Sequence, residues 1–169
     1  MAIFALDILL FVAAFAFMEG VAWFMHKYVM HGFGWVLHHS HHVPRTGIFE
    51  LNDVYVLIFA TPAIVSIYFG LHGVPPLLPV GLGITAYGAF YSMFHDGLSH
   101  KRYPVPLSAK SPYWKHLIQA HRLHHALDGK VDGKDGCVSF GFLFAPPVRQ
   151  LKAQLQARGA QASELETAG

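Results

Sequence analysis

Three apolar stretches, each long enough to cross a lipid bilayer as a helix, constrain the fold of this chain more than any other feature. They cover residues 3–24, 54–70 and 77–94, and about 20 apolar residues at ~1.5 Å per residue cross the ~30 Å hydrocarbon layer. With 53% hydrophobic and 13% charged residues among 169, the chain is too apolar for an ordinary soluble domain of this size. The pattern predicts an all-α integral membrane helical bundle of about three to four spans. We expect a membrane-embedded domain over residues 1–147 and a polar, helical C-terminal tail over 148–169.

The charged residues predict how the chain is oriented in the membrane. All twelve Lys and Arg residues lie outside the three stretches and on one side of a three-span arrangement, which the positive-inside rule assigns to the cytosol. A formal net charge of +2 is too small to indicate binding of nucleic acid. The chain has one cysteine, Cys137, so an internal disulfide is excluded and cysteine-based metal motifs are absent.

Ten of the thirteen histidines fall into four clusters near the ends of the apolar stretches. Two crossings separate the second cluster from the third, so all four clusters return to the same face of the membrane. Four clusters on one face can build a single metal site. The members are His26 and His31; His38, His41 and His42; His95 and His100; and His121, His124 and His125.

The last cluster lies on a helix with clear start and stop signals. Ser111 followed by Pro112 is typical of a helix N-terminus, and Gly129 offers a stop, so residues 112–127 are predicted to be helical. The three histidines continue an apolar face that includes Leu117, whereas Lys115, Gln119 and Arg122 lie on the opposite face. Imidazoles at i, i+3 and i+4 on a buried face are most simply satisfied by a metal. His116 lies off that face and is predicted to be a surface residue.

The second cluster repeats this spacing, but the first and third clusters do not. A five-residue separation turns the second ring by about 140° around a regular helix. Either these pairs straddle two metals or the helix is interrupted, and Gly32, Gly34 and Gly97 make interruption plausible. The sequence leaves both alternatives open. His39 falls outside the spacing and is a candidate to orient a ligand, whereas His72 lies in the turn on the opposite side.

Imidazoles bind iron, zinc, copper and nickel alike, so the histidines do not by themselves identify the metal. Ten exceed the needs of one tetrahedral zinc, whereas two metals with four or five ligands each would use them all. A haem b site would need isolated histidines within the spans, whereas these histidines are clustered at the span ends. A metal transporter would place ligands near the bilayer midplane, where the second and third stretches have none.

The residues in and between the clusters resemble one known family. The motifs are HKYVMHGFGW from His26, HHSHHVPRTGIFELND from His38, FHDGLSH ending at His100, HRLHH from His121, and FGFLFAP ending at Pro146. They resemble the bacterial β-carotene hydroxylases, which belong to the fatty-acid hydroxylase and sterol desaturase group of membrane di-iron enzymes. The resemblance covers roughly residues 20–147. His39 departs from it, because a carboxylate or another polar residue is expected there.

The resemblance implies an activity, a cofactor and a set of ligands. It implies a non-haem di-iron monooxygenase that uses O2 to hydroxylate C3 and C3′ of the β-ionone rings of β-carotene, giving β-cryptoxanthin and zeaxanthin. The ten clustered histidines would be the iron ligands. Alternatives are a hydroxylase or desaturase of acyl chains or sterols, and a His-rich membrane metal-binding or transport protein.

Further residues near the clusters have expected roles. Glu50, Asp53, Asp96 and Asp128 could orient imidazole N–H groups, although surface capping explains them equally well. A carotenoid would enter from the lipid, and Phe140, Phe142 and Phe144 could form the mouth or an interfacial anchor.

The electrons that the reaction needs would come from another protein. The chain has no G-x-G-x-x-G fingerprint, so an external donor is expected, such as ferredoxin with its NAD(P)H-dependent reductase. The basic residues expected on the cytosolic face could dock that donor or contact anionic headgroups. They are Lys101, Arg102, Lys110, Lys115 and Arg122. The expected location is the bacterial inner membrane, with the site facing the cytosol.

Overall fold

The chain folds as a bundle of helices in a computed structural model, which describes residues 2–45, 47–105, 108–127 and 137–168. No strand occurs within these ranges, so the all-α prediction is confirmed. Two π-helical segments, Met25–Phe33 and Ser92–Ser99, and two short 3-10 segments, Leu51–Asp53 and His125–Leu127, connect or extend the α-helices. The α-helices in these ranges are α1 Ala2–Phe24, α2 Trp35–His42, α3 Val54–Leu71, α4 Leu77–Tyr91, α5 Pro112–His124 and α6 Val148–Ala168.

Three helical stretches in the described part of the chain are, by length and composition, long and apolar enough to span a membrane. They are Ile3–Phe33, Leu51–Leu71 and Leu77–Ser99, and they contain the three stretches predicted from the sequence. Large apolar side chains such as Phe4 and Phe17, each 71% exposed, cover their outer surfaces. This is the expected arrangement when lipid covers the helices.

Glycines allow α4 to pack closely on its neighbours. A Cβ at Gly81 would lie 2.8 Å from the backbone nitrogen of Ile67 in α3, and one at Gly83 would lie 2.5 Å from the carbonyl oxygen of Phe11 in α1. These two positions therefore form a small-residue surface for close contact between helices. Gly88 differs, because no described atom lies within 4 Å of a Cβ built there.

The two π-helical segments explain the five-residue spacing of the first and third clusters. The amide of Gly34 donates to the carbonyl of Val29 at 2.8 Å, and that of His100 donates to the carbonyl of His95 at 2.9 Å. Both bonds run from i+5 to i, which widens the helix and brings residues five apart onto one side. The ring centroids are consequently 5.1 Å apart for His26 and His31 and 4.7 Å apart for His95 and His100. Of the two alternatives, the structure favours an interrupted helix, because both pairs lie on π-helical turns and Gly32 has non-helical backbone angles, φ −99° and ψ −125°.

Helix α5 begins as predicted, because the amide of Trp114 donates to the Ser111 hydroxyl at 3.3 Å. The α-helix ends at His124 and continues as a 3-10 turn to Leu127, and Gly129, the predicted stop, lies outside the described residues. The following segment returns to pack on α5 as α6. Leu151, which is 0% exposed, and Leu155 belong to the same core as Leu117 in α5. The C-terminal segment is helical as expected, and the first half of this helix packs on α5.

Candidate metal centre

All ten clustered histidines meet at one end of the three long helices. Within the described residues, two groups have ring nitrogens that lie within 4.8 Å of one another. His125 belongs to neither group but lies between them, since its ring is 4.2 Å from that of His42 and 4.8 Å from that of His100. The first group is His26, His31, His38, His42 and His124, and the second is His41, His95, His100 and His121.

The two groups divide the sequence clusters in an unexpected way. Each five-spaced pair stays within one group, because the π-helical turns place its two rings together. The clusters with i, i+3, i+4 spacing are the ones that straddle the groups. On α2, His38 and His42 lie in the first group and His41 in the second, so this one helix links the two candidate metal positions.

Hydrogen-bond acceptors around the centre determine, for several histidines, which ring nitrogen carries the hydrogen. The Nδ1–H of His26 donates to the carbonyl of Phe140 at 3.0 Å, and that of His124 donates to the carbonyl of Val138 at 3.0 Å. Carboxylate or amide oxygens serve three others: His38 with Asn52 at 2.7 Å, His41 with Glu50 at 2.9 Å, and His95 with Asp96 at 2.9 Å. A neutral imidazole with hydrogen on Nδ1 has a lone pair on Nε2. The lone pairs therefore point into the centre.

The inward nitrogens are close to one another. His41 Nε2 and His95 Nε2 are 3.1 Å apart, although both rings donate through Nδ1. Two lone pairs facing at this distance repel each other unless a cation lies between them. Similar contacts of 3.1 Å join His31 to His124 and His38 to His42. A donor set of neutral imidazoles, oriented through Nδ1, fits a transition metal such as iron in each group.

Burial keeps these imidazoles neutral. Loss of hydration, together with the neighbouring histidines, lowers the pKa of His38 to about 2 and the pKa of His100 to about 2. The same causes hold the pKa of His41, His121 and His124 well below the ordinary histidine value. Metal binding therefore need not displace a proton from these rings near neutral pH.

A ring of polar contacts surrounds the second group. Glu50 accepts from His41, and the Glu50 amide donates to Asp53 at 3.0 Å. Arg102 donates from both terminal nitrogens to the two Asp53 oxygens at 2.8 Å, and its Nη1 is 3.6 Å from the Asp96 carboxylate that accepts from His95. Glu50 and Asp96 thus occupy the expected orienting positions. Asp53 contacts Arg102 instead of an imidazole, which removes Arg102 from the freely available basic surface.

The sequence pattern did not predict the contacts of two polar side chains near the centre, Asn52 and Glu19. Asn52 was noted only within a family motif, yet it is the acceptor for His38. Glu19 accepts from the amides of Phe142 and Leu143 at 2.9 Å and from the Tyr87 hydroxyl at 2.8 Å. A carboxylate within an apolar span is costly without partners, and that cost was the available signal for Glu19.

Three other histidines and one carboxylate had roles or positions predicted from the sequence. His39 is exposed, its ring lies 5.4 Å from that of Trp35, and its position does not support a role in orienting a ligand. His72 lies in the α3–α4 turn, as expected for a residue away from the centre. His116 was predicted to be a surface residue, but it is half-buried and its Nε2 is 3.1 Å from the carbonyl oxygen of Ala145. Asp128 lies outside the described residues.

The three phenylalanines proposed as a substrate mouth occupy different environments. Phe140 contacts the ring of His31 at a centroid distance of 5.2 Å, and Phe144 is 74% exposed. Phe142 is buried, stacks on His26 at 5.4 Å and lies 5.3 Å from the ring of His95. It also lines an apolar cavity of about 320 Å³ between the long helices. Phe142 therefore separates this cavity from both groups of histidines.

The fold and the centre together define a class of protein: an all-helical membrane protein with a double histidine cluster beneath its spans. The model of the fatty acid hydroxylase family matches residues 11–145. The chain belongs to this family, in the group of the beta-carotene hydroxylases.

Several relatives support this assignment over most of the chain. A beta-carotene hydroxylase from Pantoea ananas is 53% identical over 146 residues, which cover 86% of this chain and 81% of that protein. One from Pseudescherichia vulneris is 50% identical over 83% of this chain and 78% of that protein, and one from a Paracoccus strain is 43% identical over 95% and 97%. No solved structure matches the chain.

Proposed function

We propose that this protein hydroxylates β-carotene at C3 and C3′ of its β-ionone rings, giving β-cryptoxanthin and then zeaxanthin. The observation that carries the proposal is the double group of buried imidazoles beside an apolar cavity between membrane-spanning helices. The names of the relatives support the carotenoid substrate. Each hydroxylation replaces a ring C–H by C–OH, consumes one O2, two electrons and two protons, and releases one water.

The ten clustered histidines would hold two iron ions, one near each group. The irons would supply the activation of O2 needed to attack an unactivated C–H bond, which no side chain can provide. The chain supplies the surroundings. Its carboxylates, Asn52 and backbone carbonyls keep the Nδ1–H groups turned outward, and Phe140 and Phe142 cover the imidazoles and exclude water.

The electron donor and the membrane orientation belong to the same proposal. We infer that the centre faces the cytosol at the bacterial inner membrane, because the basic residues lie at its end of the spans. An acidic ferredoxin, reduced by its NAD(P)H-dependent reductase, would dock on Lys101, Lys110, Lys115 and Arg122, which are exposed. Contact of these residues with anionic headgroups is the competing explanation.

Expression in bacteria that accumulate β-carotene, followed by pigment chromatography, tests the activity. We expect zeaxanthin from the unchanged protein, none from His41→Ala, and zeaxanthin near the unchanged level from His39→Ala, the exposed neighbour that serves as a matched control. Unchanged carotene together with altered lipids would instead indicate an acyl or sterol substrate. Metal uptake without oxidation products would indicate a transporter. The iron content of detergent-purified protein should be two per chain, and a fully active preparation without transition metal would overturn the proposal.

A further inference from the structure

We propose that the apolar cavity between α1, α3 and α4 binds one end ring of the carotenoid at a time, and that Gly88 keeps it wide enough for that ring. This inference rests on the proposed function and adds the substrate-binding site and a residue that determines specificity. The cavity has a volume of about 320 Å³. Most of its wall is apolar and includes Met18 and Ala22 from α1, Phe59 and Ala63 from α3, and Ile84 and Gly88 from α4. The polar side chains of Asn52, Asp53, Asp96 and Arg102 line it as well.

The cavity extends from the lipid-facing surface to aromatic side chains that contact the histidines. Val56 and Ile64 on α3 and Thr85 and Gly88 on α4 line it and are exposed, so it opens laterally where lipid would cover the helices. A substrate dissolved in the bilayer can therefore enter without passing through water.

The inner end of the cavity lies against the candidate metal centre. Tyr91 lines it and stacks on His95 with ring centroids 4.7 Å apart. Phe142 lines it as well and contacts the rings of His26 in the first group and His95 in the second. A group at this end of the cavity is thus presented beside both sets of imidazoles.

The volume matches one end ring and is too small for the whole carotenoid. At ~30 Å³ per carbon, close to the share of one water molecule in the liquid, about 320 Å³ holds roughly ten carbons. A β-ring with its methyl groups has about nine carbons, whereas the whole C40 molecule needs roughly 1,200 Å³ at the same ~30 Å³ per carbon. One ring fits, and the polyene chain must extend through the lateral opening into lipid.

Gly88 is the position at which the width of the cavity can be changed without disturbing helix packing. Gly81 and Gly83 are in contact with neighbouring helices, but no described atom lies within 4 Å of a Cβ at Gly88. A larger side chain there would extend into the cavity. Four added carbons, at ~30 Å³ each, would fill about a third of it.

Gly20 provides a matched control. It is exposed on α1, no described atom lies within 4 Å of a Cβ built there, and it is not part of the cavity wall. Leucine at either glycine adds the same apolar surface and raises helix propensity in the same direction. Only Gly88→Leu should obstruct the ring.

The test compares Gly88→Leu, Gly88→Ala and Gly20→Leu in nanodiscs with β-carotene and a reducing system. We expect Gly88→Leu to lower the hydroxylation rate by about tenfold to 100-fold, since misplacing a reacting group by ~1 Å has effects of that size. Gly20→Leu should stay within about twofold of the unchanged protein, as for a surface substitution. Gly88→Ala should be intermediate.

Two readouts besides activity identify the cause. Iron content should remain two per chain in all variants. The β-carotene retained by iron-free protein, measured by absorbance, should fall for Gly88→Leu, fall less for Gly88→Ala, and stay unchanged for Gly20→Leu. Either Gly88 variant that keeps its iron and both hydroxylates and retains carotene like the unchanged protein would overturn the inference. If the unchanged protein makes no hydroxylated carotenoid, the proposed function itself fails, which is a distinguishable result.

Discussion

In the proposed di-iron centre, replacing Arg102 by glutamine should loosen the second metal position and leave the first largely intact. Arg102 contacts both Asp53 and Asp96. Asp53 accepts from the amide of Glu50, whose carboxylate accepts from His41, and Asp96 accepts directly from His95. Both of these histidines belong to the second group. No ligand of the first group depends on this ring of contacts for the hydrogen bonds described above.

The size of the effect follows from the contacts that are lost. Breaking a fully buried ion pair costs about 3–5 kcal/mol, but the side chains of Arg102 and Asp53 are 13% and 24% exposed. Water would therefore solvate part of the released carboxylate, and we expect a loss in the free energy of unfolding of about 2 kcal/mol. Groups that orient metal ligands typically contribute about 10–100-fold to metal affinity, and this factor should apply to the second site alone.

The assay is iron retention during dialysis against increasing chelator, read by elemental analysis. The Arg102→Gln protein should lose one iron per chain at a chelator concentration about 10–100-fold lower than the unchanged protein, and the other iron at an unchanged concentration. Arg102→Lys should recover part of the loss, since lysine keeps the charge but not the bidentate geometry. Lys115→Gln, an exposed change on α5, controls for net charge. An Arg102→Gln protein that loses its two irons at the same chelator concentration as each other would refute this reasoning.

Further predictions concern the other side of the centre, the aromatic segment and the metal itself. Asn52→Leu removes the acceptor for His38 and should lower iron affinity at the first site by about tenfold, so the order of iron loss should be opposite to that in Arg102→Gln. The same order in both variants would contradict the assignment. Glu19→Ala leaves the amide of Phe142 and the Tyr87 hydroxyl unpaired and should reduce the free energy of unfolding by about 3 kcal/mol, with partial recovery in Glu19→Gln, both measured by thermal denaturation in detergent. Removing iron should lower the melting temperature, because a ligand bound only by the folded state stabilises it by about 4 kcal/mol at 1,000 times its Kd, and restored Fe²⁺ should reverse the change. An unchanged melting temperature after iron removal would indicate that these histidines hold no metal.

The local sequence pattern determined much of the fold and indicated the ten histidines that meet in the centre. The length of the apolar stretches fixed the spans, and the number of crossings placed all four histidine clusters at one end. The cap at Ser111 and the polar face of α5 were also predictable, because both depend on helix geometry over a few residues. The clustered histidines were recognisable because their spacing and the family motifs are local features of the sequence.

Only the tertiary structure decided how the histidines are divided and what orients them. Spacing along α2 could not reveal that His41 joins a different group from His38, since that depends on which other helices approach each side. The spacing of His95 and His100 likewise left open the π-helical turn that the structure shows, and Asn52 becomes a partner of His38 only after the chain reverses. The cavity has the same origin. It forms from the side chains of three helices, and nothing in one helix alone distinguishes Gly88, which borders that space, from Gly81, which is packed against a neighbour.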